Sequence, residues 1–272
     1  MYIIIALIYF ISLYFILRKR SEKTIHLTLL IILFINFSLH FLKQAFPPYT
    51  TYYPSWLIKS TLENICAVST VFFPFIFLIK KQTILHDYMY FIGFCGGLAA
   101  LVYPTEAINK APYEFDVIRF YFCHINLIVI PLLAAILNIN RPRLKRFWAI
   151  PLLFLGQETI ICLNEIFLMQ VGLLNKTWSE FLDRHIRSTS FIVGLIPEFD
   201  SLSFLFDPFI PTFFKTHAFN INNGIPFYFP VLWLTIPSFI YLIPTYIIIS
   251  SPFWISDLIK KKKIKYHKAS SS

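Results

Sequence analysis

Two side chains of this sequence, Cys66 and His124, are of the types that together carry out acyl transfer. An imidazole can take the proton of a nearby thiol, and the thiolate then attacks an ester to form an acyl-thioester. Cys66 lies in an apolar run, residues 61–75, whose first turns also carry Glu63 and Asn64. Polar side chains are costly in hydrocarbon, so they normally face a bundle interior or a cavity. The pattern predicts an intramembrane site at this end of the run.

The nucleophile for His124 must come from another helix. Cys123 is its neighbour, but consecutive residues of a helix point about 100° apart and do not face each other. Cys66 and Cys162 are both candidates. A histidine that is simply hydrogen-bonded in the core, or polar residues that line a transport path, are alternatives that spacing leaves open.

Composition indicates a polytopic membrane protein. Hydrophobic residues make up 57% of the 272 residues and charged residues 14%, and the mean hydropathy is +0.66. The formal net charge is +10, but the basic residues form short clusters between apolar runs, which is typical of membrane topology rather than of nucleic-acid binding. None of the four cysteines is part of a CxxC motif, so neither a disulfide framework nor a zinc site is indicated.

We predict an all-α bundle of about seven transmembrane helices, with the N-terminus outside or lumenal and the C-terminus cytoplasmic. Residues 1–259 form one transmembrane domain, residues 170–225 within it an extracytoplasmic loop and candidate lid, and residues 260–272 a basic cytoplasmic tail. In this topology, sixteen of the 24 lysines and arginines fall inside, as the positive-inside rule predicts. The predicted helices cover about 2–17, 25–42, 60–79, 86–103, 116–137, 147–169 and 226–255.

This topology places polar residues of several helices at one depth. The third and fifth helices run inward, so Cys66 and His124 lie roughly 9–12 Å below their outer ends. Glu63, Cys66 and Thr70 are predicted to share a face of the third helix. The second and sixth helices run outward, and both carry polar residues toward their C-terminal ends. These residues are Asn36 and His40 on the second helix and Glu158, Asn164 and Glu165 on the sixth. The inner halves lack such residues, which speaks against a transport path.

The motif Gly93-Phe-Cys-Gly-Gly97 in the fourth helix has the GxxxG spacing. Small residues at this spacing let two helices approach closely, so we predict that Gly93 and Gly97 mark a helix–helix contact rather than a ligand site.

A series of short motifs in the centre of the chain occurs in the order found in a known family. They are Asn64-Ile-Cys66, Phe73-Pro74, residues 88–104, Arg119-Phe-Tyr-Phe-Cys-His124, Pro131-Leu132 and Asn164, followed by residues 224–228. In these residues the chain resembles the YwaF-like family of membrane proteins, which includes eukaryotic transmembrane protein 164. The first two helices and residues 170–225 match less well.

The resemblance implies a function. Eukaryotic members are implicated as cysteine-dependent acyltransferases that build polyunsaturated ether phospholipids, and the family is similar to intramembrane fatty-ester hydrolases of the androgen-induced-gene class. Carried over, the nucleophile falls on Cys66 and the base on His124. Beside this pair we predict supporting roles for Glu63, Asn64, Arg119, Asn164 and Glu165, with Asn64 or Asn164 stabilising the oxyanion. A purely structural role, in which Glu63 caps the third helix or pairs with Arg119, is the alternative that the residues leave open.

The expected substrates are membrane phospholipids and lysophospholipids. No metal or soluble cofactor is needed if a phospholipid donates the acyl group. A lipid-ester hydrolase that uses the same pair, and a non-catalytic membrane protein or transporter, are the alternatives. We expect a multi-pass integral protein, and nothing in the sequence distinguishes the endoplasmic reticulum from the plasma membrane.

Overall fold

The computed structural model describes residues 2–53, 55–104, 106–184, 186, 190–195, 197–216 and 227–270. The predicted all-α bundle is confirmed. The helices are α1 (Tyr2–Leu17), α2 (Glu22–Leu42), α3 (Ile65–Leu78), α4 (Ile84–Val102), α5 (Phe115–Ile136), α6 (Ala149–Gln170), α7 (Trp178–Leu182), α8 (Ser203–Phe206) and α9 (Thr235–Ser270). Two short strands, β1 (Lys215–Thr216) and β2 (Phe227–Tyr228), pair antiparallel. Short 3-10 helices occupy Lys43–Ala45, Ser55–Ser60, Leu144–Arg146, Pro197–Leu202, Asp207–Phe209, Thr212–Phe214 and Leu232–Leu234.

Five of the described helices, α2, α4, α5, α6 and α9, are long and apolar enough to cross a membrane. The other two apolar helices are shorter, since α1 has 16 residues and α3 has 14. At 1.5 Å per residue they are roughly 24 and 21 Å long, less than the ~30 Å thickness of the hydrocarbon core. The chain is therefore an integral, multi-pass membrane protein. Seven crossings and the orientation of the termini stay predictions.

Two predicted helix boundaries are wrong. The third helix was expected over residues 60–79 but begins at Ile65, because residues Ser55–Ser60 form a separate 3-10 helix and Asn64 caps the new start. Glu63 therefore precedes α3 and is not part of its helical face. The last helix was expected over residues 226–255 but runs from Thr235 to Ser270, so the basic tail continues it. Residues 224–226 of the family motif lie outside the described residues.

The bundle is organised around α5, which contacts α1, α2, α3 and α4. Its large apolar residues face these neighbours, and its polar residues join the helices by hydrogen bonds. The Asn36 side chain of α2 donates to the Cys123 carbonyl at 3.1 Å. The Tyr9 hydroxyl of α1 donates to Asn126 Oδ1 at 2.9 Å. The polar residues buried here thus hold α5 in register with α1 and α2.

The contact between α4 and α5 depends on glycine. A Cβ at Gly93 would lie 2.3 Å from the Leu127 carbonyl oxygen, and one at Gly97 would lie 3.0 Å from the His124 carbonyl oxygen. The partner number falls along α5 as it rises along α4, so the two helices are antiparallel. The predicted close-packing role of the GxxxG spacing is confirmed.

We predict that Gly93→Ala destabilises the protein by about 1–3 kcal/mol, because its methyl group would force α4 away from α5. The measurement is the thermal unfolding midpoint of the purified protein in detergent. Gly156→Ala in α6 is the matched control, since a Cβ there has no heavy atom within 4 Å. A Gly93→Ala midpoint equal to that of Gly156→Ala would contradict this account of the contact.

Candidate active site

A cavity of about 500 Å³ opens between α3, α4, α5, α6, α9 and residues 190–206. Cys66 and His124 both line it. Most of the lining residues are apolar, and they include the aromatic side chains of Phe91, Phe154 and Trp233. The volume lies in the range of roughly 300–1,000 Å³ that holds small-molecule ligands. The two residues predicted for acyl transfer therefore share one mainly apolar chamber.

A second cavity, of about 40 Å³, adjoins the first on the side of α2. It shares four residues with the larger one: Asn64, Cys66, Glu106 and His124. The rest of its wall is polar or small, and consists of His40, Lys43, Glu63, Ala67, Thr70, Arg119 and Cys123. Cys66 and His124 thus lie where an apolar and a polar compartment meet.

Cys66 is the second residue of α3, in its first turn. The turn is capped by Asn64, whose Oδ1 accepts from the Ala67 amide at 2.8 Å. The first N–H groups of a helix have no carbonyl partner within it and carry partial positive charge. The thiol therefore lies at a helix end whose field favours a negative charge.

The start of α3 is held from α6. Gln157 Nε2 donates to the Ile65 carbonyl at 2.8 Å, and the Tyr88 hydroxyl of α4 donates to Gln157 Oε1. These two bonds link α3, α4 and α6 next to Cys66. They position the thiol without contacting it.

The ring of His124 is oriented by its own helix. Its Nδ1 lies 2.7 Å from the Phe120 carbonyl oxygen, which can only accept, so Nδ1 carries the proton of the neutral ring. The other nitrogen, Nε2, is then the basic one. This is the tautomer that a general base requires.

Two adjacent glycines of α4 contact the Cys66 thiol and the backbone of His124. Cys66 Sγ lies 3.9 Å from the Gly96 carbonyl oxygen. Gly97 lies against the His124 carbonyl. Successive residues of α4 therefore contact α3 on one side and α5 on the other, which is how Cys66 and His124 come to line the same cavity.

A network of buried charges lies at the end of the bundle where α2 ends and α3 and α5 begin. Asp116 binds Arg119 at 2.8 Å and Lys110 at 2.6 Å, and accepts from the Tyr49 hydroxyl at 2.7 Å. Arg119 also lies 3.8 Å from Glu106. The network anchors the loop that follows α2 onto the start of α5.

Glu63 forms an ion pair with Lys59 at 3.3 Å at the edge of the small cavity. Burial raises the pKa of the Glu63 carboxyl, and the ammonium of Lys59 opposes that shift. Arg119 forms its ion pairs with Asp116 and Glu106. The helix-capping role expected of Glu63 is taken by Asn64, because Glu63 precedes the cap residue.

Two of the predicted supporting residues lie away from both cavities. Asn164 Nδ2 donates to Thr61 Oγ1 at 3.1 Å. Glu165 forms an ion pair with Lys176 at 3.4 Å. Asn64, Glu63 and Arg119 do line the small cavity. Of the two asparagines considered for the oxyanion, the structure brings Asn64 to Cys66.

The other thiols differ in their surroundings. Cys162 is buried in a separate apolar cluster with Val68, Ile161 and Phe181. Cys95 lines the large cavity and Cys123 the small one. Cys66 lines both.

Residues that follow α7 form part of the wall of the large cavity. Ser190, Phe191, Leu195, Phe199 and Phe206 line it. This segment is tied to the start of α9, because Trp233 Nε1 donates to the Phe191 carbonyl at 2.8 Å. The region predicted as a lid therefore contributes a wall of the cavity.

A family model described as the TMEM164 family matches residues 1–177, which is most of the chain. The chain belongs to the TMEM164 family. The match includes α1 to α6, and hence Cys66 and His124, but ends before the cavity wall at 190–206 and before α9. Comparison with curated proteins and with solved structures gave no match.

Two residues of this TMEM164 family chain were missed as site residues by sequence reasoning. Glu106 lines both cavities from the loop between α4 and α5, where an acidic residue has no distinctive signal. Lys43 is 4% exposed and lines the small cavity. It continues the stripe of Asn36 and His40 at helical spacing, a signal that could have found it.

We predict that an apolar, membrane-permeant maleimide alkylates Cys66 and Cys95 of the folded protein far faster than Cys162, because only the first two line the large cavity. Peptide mass spectrometry after timed labelling measures the three rates. His124→Ala should slow Cys66 by about tenfold or more while leaving Cys95 unchanged, since the imidazole is the base available to Cys66. Equal slowing of both thiols would indicate a general change of the cavity instead.

Proposed function

We propose that the protein is an intramembrane acyltransferase that moves an acyl group between phospholipids through Cys66 and His124. The observation that carries the proposal is that both residues line one apolar cavity of about 500 Å³, at its junction with a polar one. A lipid ester has the same division, with an apolar chain on one side of the carbonyl and polar groups on the other. The ester carbonyl would then lie at Cys66.

The first half of the reaction forms a thioester. His124 Nε2 takes the proton of Cys66 Sγ, and the thiolate attacks the ester carbonyl of the donor phospholipid. The bond between the carbonyl carbon and the glycerol oxygen breaks, and His124 returns its proton to that oxygen. The products are acyl-Cys66 and a lysophospholipid.

The second half reverses these steps on an acceptor. His124 takes the proton of a lysophospholipid hydroxyl, and its oxygen attacks the thioester. The carbon–sulfur bond breaks, the acyl group moves to the acceptor, and Cys66 regains its proton from His124. Atoms and charges balance, and no soluble cofactor takes part.

Two features of the site support stabilisation of the charge that develops in these steps. Asn64 lines both cavities next to Cys66, and the N–H groups of Ile65 and Cys66 at the start of α3 have no carbonyl partner within the helix. Donors that are already oriented toward a developing oxyanion give the largest single effect in many acyl-transfer enzymes.

We predict that a thiol-reactive acyl probe labels the wild-type protein on Cys66 and that Cys66→Ala abolishes the label. His124→Ala should reduce the labelling rate by about 100-fold, the usual contribution of a general base. Cys95→Ala is the matched control, because Cys95 lines the same cavity. Equal labelling of wild type, Cys66→Ala and His124→Ala would rule out the proposed pair.

An assay of the acyl products formed by the wild-type protein distinguishes transfer from hydrolysis. With a donor phospholipid radiolabelled in its acyl chain, a transferase moves the label to an added lysophospholipid that has a different head group. A hydrolase, in which water is the acceptor, releases labelled fatty acid without it. Absence of both products, with intact labelling of Cys66, would favour a non-catalytic role.

The length of the acyl chain should depend on the large cavity. Ala100 of α4 lines it and is half-buried, so a phenylalanine there would occupy space inside. We predict that Ala100→Phe shifts the preference of the transfer reaction toward shorter acyl chains. Competition between two donors that differ only in chain length measures the shift, and an unchanged ratio would show that the chain lies elsewhere.

A further inference from the structure

The small cavity contains a buried cation, Lys43, that forms no ion pair with a carboxylate of the described residues, although Glu63 and Glu106 attract it from a greater distance. Lys43 is 4% exposed, and its ammonium lies 5.4 Å above the ring of Tyr49. Among the described residues, no carboxylate lies within ion-pair distance of it. A buried charge normally has an ionic or hydrogen-bonding partner, because leaving it unpaired is costly. The side chain lines the cavity, so the cavity is where that partner would lie.

The charged side chains around Lys43 have one more positive than negative charge. The cations are Lys43, Lys59, Lys110 and Arg119, and the carboxylates are Glu63, Glu106 and Asp116. The three carboxylates are engaged by the other three cations, at distances between 2.6 and 3.8 Å. His40, which also lines the cavity, has its Nε2 at 3.1 Å from the Ser60 carbonyl oxygen. The excess charge is therefore that of Lys43.

We propose that the small cavity binds the phosphate group of a phospholipid or lysophospholipid, with Lys43 as its main ligand and Arg119 as the second cation. Identifying the phosphate with the reacting lipid rests on the proposed function. Charge-assisted hydrogen bonds from ammonium and guanidinium groups are the strongest that phosphates receive in proteins. An anion here would neutralise the excess charge.

The arrangement of the two cavities fits a lipid in one orientation. The phosphate lies among the cations near α2, the acyl chain lies in the apolar cavity bounded by α4, α6 and α9, and the ester carbonyl lies between them. Cys66 and His124 occupy this middle position, because each lines both cavities. A neutral lipid would leave Lys43 unpaired, so the site selects for phosphate.

The test is a binding measurement on the purified full-length protein in a nonionic detergent, without an acyl donor. The two probes are lysophosphatidic acid and the monoacylglycerol with the same chain, which differ by the phosphate alone. We predict that Lys43→Met weakens binding of lysophosphatidic acid by about tenfold or more and leaves monoacylglycerol unchanged. Lys43→Arg, which keeps the charge, should retain most of the preference for lysophosphatidic acid.

Lys176→Met is the matched control, because it removes a cation that pairs with Glu165 away from both cavities. It should not change the ratio of the two affinities. Thermal unfolding of each variant shows that it is folded. Equal weakening of both lipids by Lys43→Met, or no weakening of either, would overturn the phosphate site, as would a cavity that holds water alone.

Inorganic phosphate identifies the source of the group. Displacement of lysophosphatidic acid from the wild-type protein, but not from Lys43→Met, would assign the site to phosphate itself. Selective loss in Lys43→Met without displacement would assign it to phosphate carried by a lipid. Binding needs no turnover, so the result is readable even if labelling of Cys66 fails.

Discussion

The close approach of α4 to α5 is the contact on which the rest of the site depends. It is possible because Gly93 and Gly97 present no Cβ to the carbonyl groups of Leu127 and His124. With α5 at this distance, the next glycine, Gly96, has its carbonyl at 3.9 Å from Cys66 Sγ. A larger side chain at either contact position would separate the two helices, and the cavity that Cys66 and His124 line would change shape.

A second constraint is the burial of charge at the end of the bundle where α3 and α5 begin. Asp116 binds two cations and a tyrosine hydroxyl, so the loop that follows α2 folds back onto α5. That loop includes the 3-10 helix Ser55–Ser60, which is followed within a few residues by Asn64, the cap of α3. As a result, α3 starts beside the small cavity, and residues of its first turn line that cavity. Removal of one member of such a network leaves the others charged and buried, which is why these residues act as a unit.

The amphipathic character of the site follows from this geometry. One compartment is bounded by apolar faces of long helices, and the other by residues that follow or precede helices at the charged end. The catalytic pair that we propose lies at their boundary. The region that matches the TMEM164 family model includes the helices that carry this pair. The remaining wall, from residues 190–195, residues 197–206 and α9, lies beyond the matched region.

The sequence by itself determined the helical membrane architecture and most helix positions, because hydropathy and helical period are local properties. It also predicted that Cys66 and His124 belong to one site, and both line the large cavity. It did not determine where α3 begins, since residues 60–64 are compatible with the first turns of a helix as well as with an irregular segment. The 3-10 helix Ser55–Ser60 and the Asn64 cap fix the start at Ile65. It also could not distinguish Asn64 from Asn164, or Cys66 from Cys162, as neighbours of His124, because their positions depend on how α3 and α6 rotate against α4. Glu106 entered the site only through the tertiary structure, since a loop carboxylate acquires a role when folding places it beside a cavity, whereas Lys43 continues the polar stripe of α2.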